Sequence, residues 1–199
     1  MVISLELIDI DVKTFKKELY KDYKKMFPRL ERKSYNHLKK CNNLRMCNFI
    51  KIIDNGNIIG FMIVNTIRDI KYAQLDYFAI LPQYQDNGYG TRSLELLKNK
   101  YQELDGIFVE AETLGLGRNE TENNQRVRRD KFYRKAGFIP LNYEFDLYRV
   151  IYTPYILFTN NKQESEEEIV NKMFTLYYKT IGVNGTDKFN RNCKYRCLN

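Results

Sequence analysis

Six consecutive residues have the types and spacing of a turn that could bind a pyrophosphate. The turn reads Gln-x-x-Gly-x-Gly and consists of Gln85, Asp86, Asn87, Gly88, Tyr89 and Gly90. Its two glycines leave backbone N–H groups open to an anion, and a following helix would present the positive end of its dipole there. Glycine at a helix entry also has purely conformational uses, so this turn alone does not establish phosphate binding.

The residues on either side of the turn predict a strand before it and a helix after it. The run 75–81 is apolar and aromatic enough for a buried strand, and Pro82 ends it because proline lacks the N–H that a sheet ladder needs. Apolar residues then recur at steps of three and four, which predicts a helix over about 89–103. The turn therefore lies where a strand leads into a helix.

A second motif lies at 132–138 and reads Phe-Tyr-x-x-x-Gly-Phe. Gly137 suits the left-handed residue that follows a helix, and Phe138 begins a strand. Together with the strand at 75–82 and the Gln-x-x-Gly-x-Gly turn, in this order, the motif resembles the GNAT superfamily of acyl-CoA-dependent N-acetyltransferases, in its bacterial form. The resemblance covers about residues 1–158 in element order, and its specific motifs cover 75–91 and 132–138.

This resemblance implies an α/β fold, the GNAT fold. In it a mixed, mostly antiparallel sheet is flanked by helices, and the motif strand at 71–81 splays from the next strand, at 106–113. Acetyl-CoA would be the co-substrate, with its acyl-pantetheine arm between the splayed strands. The residues that the resemblance implies in CoA binding are Phe78, Ala79, Ile80, Gln85, Asp86, Asn87, Gly88, Tyr89, Gly90, Thr91, Asn124 and Arg126.

Three of these positions depart from the commonest family pattern. Gln85 stands where the family usually has Arg, and Asp86 stands where the first loop glycine is usual. Arg126 lies seven residues before Tyr133, where the family often has Asn, and Asn124 is nearby. One cationic phosphate contact is therefore missing from the turn, so we expect backbone donors to supply most of the phosphate cradle.

Acetyl transfer to an amine needs a neutral amine, a polarised thioester carbonyl and a proton for the departing thiolate. A backbone N–H on the splayed strand, that of Ile80, would polarise the carbonyl and hold the oxyanion. Tyr133 would protonate the thiolate, because a phenol keeps its proton at neutral pH and the resemblance places this Tyr beside the sulfur. The alternative for Tyr133 is a half-buried aromatic side chain that only packs.

The general base has three candidates in the sequence. Glu110 and Glu112 alternate on one face of a predicted strand that is otherwise apolar, and Asp76 lies on the motif strand. Each could take the ammonium proton, directly or through water, or bind a cationic acceptor. The alternative is structural: a strand-end carboxylate in solvent, or an ion pair with Arg126 or Arg129.

Composition limits the other classes of protein. The chain has 199 residues and 43% hydrophobic content, which suits one domain at 1–160 with a C-terminal helix and tail at 161–199 packed on it. No apolar run is long enough to span a bilayer, and the N-terminus lacks a basic start, which favours a cytoplasmic protein. The 4 cysteines form no Cys-x-x-Cys pair and there is 1 histidine, so we expect reduced structural thiols and no metal.

The charge is concentrated in one segment. The whole net charge of +8 arises within 11–45, where an apolar helical stripe leaves the lysines on the opposite face. A solvated face is one interpretation, and attraction of anionic CoA or of an acidic acceptor is the other. No recognised nucleic-acid motif accompanies the charge, so we expect neither a nucleic-acid nor a membrane partner.

Periodicity and turn residues predict the remaining elements. We expect a strand at 2–8, helices at 11–27 and 31–41, and a hairpin of strands 49–53 and 58–64 around Asn55 and Gly56. A strand at 106–112, a polar loop at 114–123 and a helix at 124–136 follow. A last hairpin joins strands near 138–148 and 150–158, a helix covers 165–181, and the tail from 182 is weakly ordered.

The favoured function is transfer of an acetyl group from acetyl-CoA to the primary amine of a small molecule in a direct ternary complex. A protein or peptide N-acetyltransferase is the second interpretation, because the loop at 114–123 could accommodate an extended chain. A non-catalytic acyl-CoA-binding or toxin-neutralising module is the third, and the substitution at Gln85 favours it slightly. The protein is expected to be a monomer or a homodimer.

Overall fold

The computed structural model describes residues 5–29, 31–160, 164–184 and 193–198. Their strands are β1 Leu5–Ile10, β2 Cys47–Asp54, β3 Asn57–Ile67, β4 Ile70–Ile80, β5 Gly106–Glu112, β6 Ile139–Pro140, β7 Tyr143–Leu147, β8 Val150–Phe158 and β9 Cys193–Cys197. Their α-helices are α1 Val12–Glu18, α2 Tyr20–Met26, α3 Tyr35–Asn43, α4 Tyr89–Lys100, α5 Glu120–Lys135 and α6 Glu166–Ile181. Short 3₁₀ turns lie at Pro82–Tyr84 and Gly182–Asn184. Among the described helices, none is both long and apolar enough to cross a membrane.

The strands form one 9-stranded sheet in the order β1-β2-β3-β4-β5-β8-β7-β9, with β6 paired to β8. Every neighbouring pair is antiparallel except β4 and β5, which run parallel. This sheet, flanked by helices, confirms the predicted α/β architecture. The helices that connect β4 to β5 and β5 to the last hairpin are α4 and α5, which carry the two sequence motifs.

The sheet opens where β4 and β5 part. The two strands pair only at Tyr72 with Gly106, Ala73 with Ile107 and Gln74 with Phe108. Beyond Gln74, β4 remains paired with β3 on its other side, and beyond Phe108, β5 remains paired with β8. The predicted splay is thus present. It leaves a gap between β4 and β5, each of which is still held by its other neighbour.

Turn chemistry explains the first hairpin. Asn55 and Gly56 join β2 to β3 with φ angles of 47° and 78°, the left-handed region that these two residues tolerate best. The prediction of a hairpin at this dipeptide is confirmed. It fixes the register of β3, against which β4 then pairs.

Three predicted helices have different bounds in the structure. The prediction of one continuous helix over 11–27 is wrong, because Leu19 leaves the helical region at φ −125° and ψ −16° and separates α1 from α2. α3 begins at Tyr35 because the Ser34 side chain caps it. α5 begins at Glu120, four residues earlier than predicted, because the Asn119 side chain accepts from the Glu122 N–H.

The C-terminal region contains more strand than predicted. The strand expected near 138–148 is divided into β6 and β7, which both pair with β8. The prediction of weak order in the tail is wrong for 193–197, because β9 pairs with β7 over its whole length. Residues 185–192, like 1–4 at the start of the strand predicted at 2–8, lie outside the described residues.

The two faces of the sheet bury different helices. One face packs α4 and α5 through Leu94, Leu97 and Tyr133 against β-strand residues such as Val109. The opposite face packs α6 through Met173 and Tyr177, and α1 to α3 through a separate cluster around Phe15 and Tyr23. Because strand side chains alternate, a residue's position in β4 or β5 decides which set of helices it meets.

Candidate active site

The turn before α4 is built by the backbone rather than by side chains. Gly88 takes the N-cap position at φ 77°, and no side chain caps the first turn of α4. The Gln85 side chain donates to the Ile80 carbonyl at 2.9 Å, and the Asn87 side chain donates to the Gln85 carbonyl at 2.8 Å. These bonds hold the turn, while the first N–H groups of α4 lack a side-chain partner and can meet an anion.

Gly90 joins the two sequence motifs. A Cβ at this position would lie 3.0 Å from Phe132 on α5, closer than ordinary contact allows. The Phe132 ring in turn lies 6.2 Å from the ring of Phe78 on β4. The glycine therefore allows α4 to pack closely on α5, next to the place where the turn is open.

The remaining predicted CoA-binding residues divide into those at the turn and those elsewhere. The Tyr89 hydroxyl donates to Asp54 at 2.8 Å, and Thr91 continues the first turn of α4. Asn124 is exposed on α5. Arg126 is buried and directed at the end of β5, where it donates at 2.7 Å to the carbonyl of Thr113, the residue after the strand. Arg126 thus makes its contacts with the protein and away from the turn.

A cationic side chain that the sequence analysis did not identify lies at the turn. Arg128 of α5 forms an ion pair with Asp86, and both side chains are largely exposed. Arg128 lies two residues after Arg126, more than half a helical turn, so the two side chains leave α5 in different directions. The charge missing at Gln85 is therefore present nearby, on a different element.

The gap between β4 and β5 exposes backbone donors. Ala79 directs its carbonyl toward Gly60 on β3, and the Leu81 N–H donates to the Ile59 carbonyl at 2.8 Å, also on β3. Because successive residues of an extended strand direct their N–H groups to opposite sides, the N–H of Ile80 points away from β3 and into the gap. That is the orientation expected of an oxyanion donor.

Glu110 is the most perturbed carboxyl group near the gap. Its Oε1 accepts from the Gln74 side chain at 3.3 Å, and its Oε2 is buried without a hydrogen-bond partner among the described residues. Burial raises the pKa of Glu110 to about 7, the Tyr177 hydroxyl beside it opposes this shift, and Asp76 adds to it. At neutral pH the acid and base forms of the side chain are therefore both populated.

The other two candidate bases are held in ion pairs. Glu112 contacts Arg129 at 2.5 Å and Arg126 at 3.4 Å. Asp76 is the extra residue of a β-bulge, since Ile63 pairs with Tyr77 and Val64 with Leu75, and its carboxylate contacts Lys33 at 2.5 Å. Both arrangements agree with the structural alternative for these carboxylates more closely than with a free base.

Tyr133 lies at the gap on the other face of the sheet. Its ring packs against Phe138 at 5.4 Å and Tyr155 at 6.0 Å, and its hydroxyl has no hydrogen-bond partner within the part of the chain described. Burial raises the pKa of Tyr133 to about 12, Arg129 opposes the shift, and Glu110 adds to it. The phenol therefore keeps its proton throughout the neutral range.

Glu110 and Tyr133 lie on opposite faces of the sheet, beside the gap between β4 and β5. Val109 and Ala111 of β5 pack with Tyr133 and α4, whereas Phe108 packs with Tyr177 of α6. Alternation along β5 places Glu110 on the Phe108 face. The charges of Glu110 and Tyr133 nonetheless interact. Glu110 and Tyr133 thus lie on opposite faces of the sheet, close enough for each to influence the other electrostatically.

The sequence profile of the acetyltransferase (GNAT) family matches residues 14–138. The chain belongs to the GNAT family. It is therefore an acyl-CoA N-acyltransferase, and the residues that match include the turn at α4, the splayed strands and Tyr133. No curated protein matches the chain at a significant level.

Solved structures share the GNAT fold at low sequence identity. A GNAT-family protein from Bacteroides thetaiotaomicron has 19% identity and a TM-score of 0.69, covering 86% of this chain and 96% of its own. A ribosomal-protein alanine N-acetyltransferase from Escherichia coli has 16% identity and a TM-score of 0.59, over 81% and 97%. A spermidine N-acetyltransferase from Vibrio cholerae, solved with CoA and spermine, has 14% identity and a TM-score of 0.54, over 78% and 95%. These likenesses support the fold and leave the acceptor open.

Two more side chains, neither of them a predicted site residue, lie at this GNAT site. Glu31, between α2 and α3, is close to Glu112 and Arg129; burial raises its pKa, with Glu112 adding to the shift and Arg129 opposing it. Tyr177 of α6 lies beside Glu110. Its position on the apolar stripe of the last helix was the available signal, because a tyrosine there brings a hydroxyl into the core. Within the described ranges, no group of three or more His, Cys, Asp or Glu residues could hold a metal ion.

Proposed function

We propose that this GNAT protein transfers the acetyl group of acetyl-CoA to the primary amine of a small-molecule acceptor in a direct ternary complex. The observation that carries the proposal is the gap between β4 and β5, with Glu110 on one face of the sheet and Tyr133 on the other. Two substrates that approach from opposite faces meet in such a gap without displacing each other.

The CoA side of the proposal rests on the turn before α4. The uncapped N–H groups after Gly88, together with Arg128, suit the charge and size of a pyrophosphate. Bound phosphate would compete with Asp86 for the Arg128 guanidinium. Phe78, Ala79 and Ile80 would line the pantetheine arm, because β4 has lost its β5 partner there.

The acceptor side rests on Glu110. Its pKa of about 7 leaves much of the group ionised at neutral pH, so it can take a proton from the acceptor ammonium. The neutral nitrogen then attacks the thioester carbonyl carbon, and the Ile80 N–H donates to the oxygen as its charge develops. Glu112 and Asp76 would instead position the arginines and Lys33 around the acceptor.

Tyr133 completes the reaction. As the carbon–sulfur bond breaks, the phenol gives its proton to the sulfur, and the second proton released by the nitrogen restores the phenol. The first proton leaves Glu110 for solvent. One amide bond forms, one thioester bond breaks, and both side chains return to their initial states.

A peptide acceptor is the second candidate, and one observation favours it. The loop after β5 exposes two large apolar side chains, Leu114 at 43% and Leu116 at 54%, just beyond Glu112. Exposed apolar residues next to a catalytic gap could bind the chain that follows an N-terminal amine. Substitution of both leucines by Ser should then weaken peptide acceptors while leaving small amines unaffected.

A thiol-release screen tests the proposed function. Wild-type protein, acetyl-CoA and panels of small amines, peptides and aminoglycosides should give CoA release with at least one small amine, and initial rates should follow sequential kinetics. Ping-pong kinetics would contradict the direct complex. Release only with peptides would favour the second candidate, and tight acetyl-CoA binding without release on any panel would favour the non-catalytic module.

A further inference from the structure

The last helix brings one polar group to the site from outside the family-matched region. Tyr177 lies on α6, whereas the family match ends at residue 138. Its side chain is 1% exposed, and its hydroxyl is buried without a hydrogen-bond partner among the described residues. A buried hydroxyl without a partner has an energetic cost, so its presence in a packed core calls for a reason.

Packing fixes the Tyr177 ring in place. Phe108 lies 5.9 Å away, and Phe145 and Phe174 each lie 6.0 Å away by ring centroid. These three rings come from β5, β7 and α6 itself, so the orientation of the hydroxyl is set by three elements. A phenylalanine would fill the same space, and only the oxygen distinguishes the two residues.

The oxygen is directed at Glu110. The Tyr177 hydroxyl and the Glu110 carboxyl lie side by side, although the pair falls short of hydrogen-bond geometry, and both Tyr177 Oη and Glu110 Oε2 lack partners. The opposite oxygen, Oε1, is held by Gln74, whose own carbonyl accepts from Asn65 at 2.9 Å. Gln74 on the neighbouring strand thus holds Oε1 of Glu110, whereas Oε2 has no partner among the described residues and is available to the Tyr177 hydroxyl.

We propose that Tyr177 is a positioning residue for Glu110: its hydroxyl donates to Oε2, fixes the carboxylate at the gap and favours its ionised form. This proposal rests on the proposed function, in which Glu110 is the base. A small movement of the carboxyl completes the bond when Glu110 loses its proton, because the ionised oxygen is the stronger acceptor. The C-terminal helix is then part of the acetyltransferase site.

Several other charged or titratable groups also act on Glu110. Asp76 of β4 adds to the upward shift of its pKa, and Lys33 opposes it. Tyr133 of α5 and Tyr152 of β8 face it from the remaining elements, and burial raises the pKa of both, so they stay neutral. Because Asp76 and Lys33 form an ion pair with each other, their effects on Glu110 partly cancel. Gln74 already donates to Oε1, so the Tyr177 hydroxyl is the neutral donor that remains for Oε2.

The test compares pH–rate profiles of wild type and Tyr177→Phe at saturating acetyl-CoA. Loss of the donor should shift the acidic limb of the kcat profile to higher pH by about one unit. The rate then falls about fivefold at pH 7 and less than twofold at pH 9. Incorporation of 3-fluorotyrosine at position 177, a stronger donor, should move the limb downward. Tyr72→Phe is the matched control, because its buried hydroxyl donates to Glu164 at 3.0 Å on the same face of the sheet, and its limb should stay in place.

The outcomes separate this proposal from the one on which it rests. An unchanged limb in both Tyr177 variants would overturn the positioning role and leave a packing aromatic, whatever the melting temperature. Glu110→Gln should abolish the limb. If the limb persists in Glu110→Gln, the assignment of the base fails instead, and any shift in Tyr177→Phe must come from another group.

Discussion

The turn before α4 and the site around Glu110 are constructed in opposite ways. The turn is exposed, uses backbone N–H groups and takes its shape from neighbouring residues, such as the bond from Gln85 to the Ile80 carbonyl. Glu110 is surrounded by side chains from β4, β8, α5 and α6, and burial dominates its pKa. A ligand common to a whole family can be held by backbone, whereas proton transfer needs a low-dielectric environment that only tertiary packing provides.

Among substitutions that affect turnover and CoA binding differently, we expect the largest effect at Tyr133. Tyr133→Phe keeps the ring packing but removes the proton for the thiolate, so turnover should fall by roughly 10² to 10⁴ while acetyl-CoA affinity stays unchanged. Tyr155→Phe is the control, since its ring lies 6.0 Å away and its hydroxyl donates to Asp130 at 2.7 Å. The control should lose only about 1 kcal/mol of stability. Full turnover in Tyr133→Phe would show that the phenol is structural.

The second effect belongs to the turn alone. Acetyl-CoA at about a hundredfold over its Kd should stabilise wild type by about 2.7 kcal/mol, which is several degrees in Tm. Gly88→Leu should remove that shift, because the side chain would cover the uncapped N–H groups. Gly115→Leu is matched, since Gly115 also has φ 77° and a Cβ added there would likewise meet nothing within 4 Å. If acetyl-CoA raised the Tm of the two variants equally, the turn would not be the phosphate-binding site.

The third effect is a pH dependence of stability that belongs to Glu110. Its pKa is about 7 in the folded protein against an ordinary 4.5, so the folded state binds more protons between these values. Stability should therefore fall as pH rises from 4.5 to 7, by about 3 kcal/mol relative to Glu110→Gln, which cannot ionise. Parallel Tm curves for the two proteins across this range would mean that Glu110 is not buried as an acid.

The smallest effect concerns the charge that supplements the turn. Arg128→Ala should weaken acetyl-CoA binding about fivefold at low salt and less at high salt, because the guanidinium is exposed and screened. Arg134→Ala is the control, since Arg134 lies on the same helix and pairs with Asp130 away from the turn. Calorimetric titration gives both affinities. Identical affinities for the two variants would leave the turn with backbone donors only.

The same contrast explains which features could be predicted from sequence. The strand–turn–helix at Gly88, the hairpin at Asn55 and Gly56 and the strand at 106–112 depend on residues next to one another, and the structure confirms these elements. The break between α1 and α2 at Leu19 could not be predicted, because the apolar helical stripe continues across this residue. The family resemblance, and not periodicity, supplied the splay between β4 and β5.

Features that depend on distant residues could not be derived in this way. The pairing of Glu112 with two arginines was one open alternative, and only the packing of α5 on β5 distinguishes it from a free carboxylate. Arg126, which is predicted to bind CoA, contacts Thr113 and Glu112 at the end of β5, while Arg128 reaches the turn, a difference set by the rotation of α5. Pairing of β9 with β7 likewise involves residues about fifty positions apart.

Turnover of Glu110→Gln at saturating acetyl-CoA is the most direct test of the claim that CoA binding and proton transfer are located in separate regions. Because saturation with acetyl-CoA removes any effect on CoA affinity, kcat extrapolated to saturating acceptor reports the loss of the base. We predict a fall of at least about 10² in kcat, with the same acetyl-CoA concentration still saturating. A wild-type rate would contradict the assignment of Glu110 as the base, and failure to saturate would contradict the separation of the two regions.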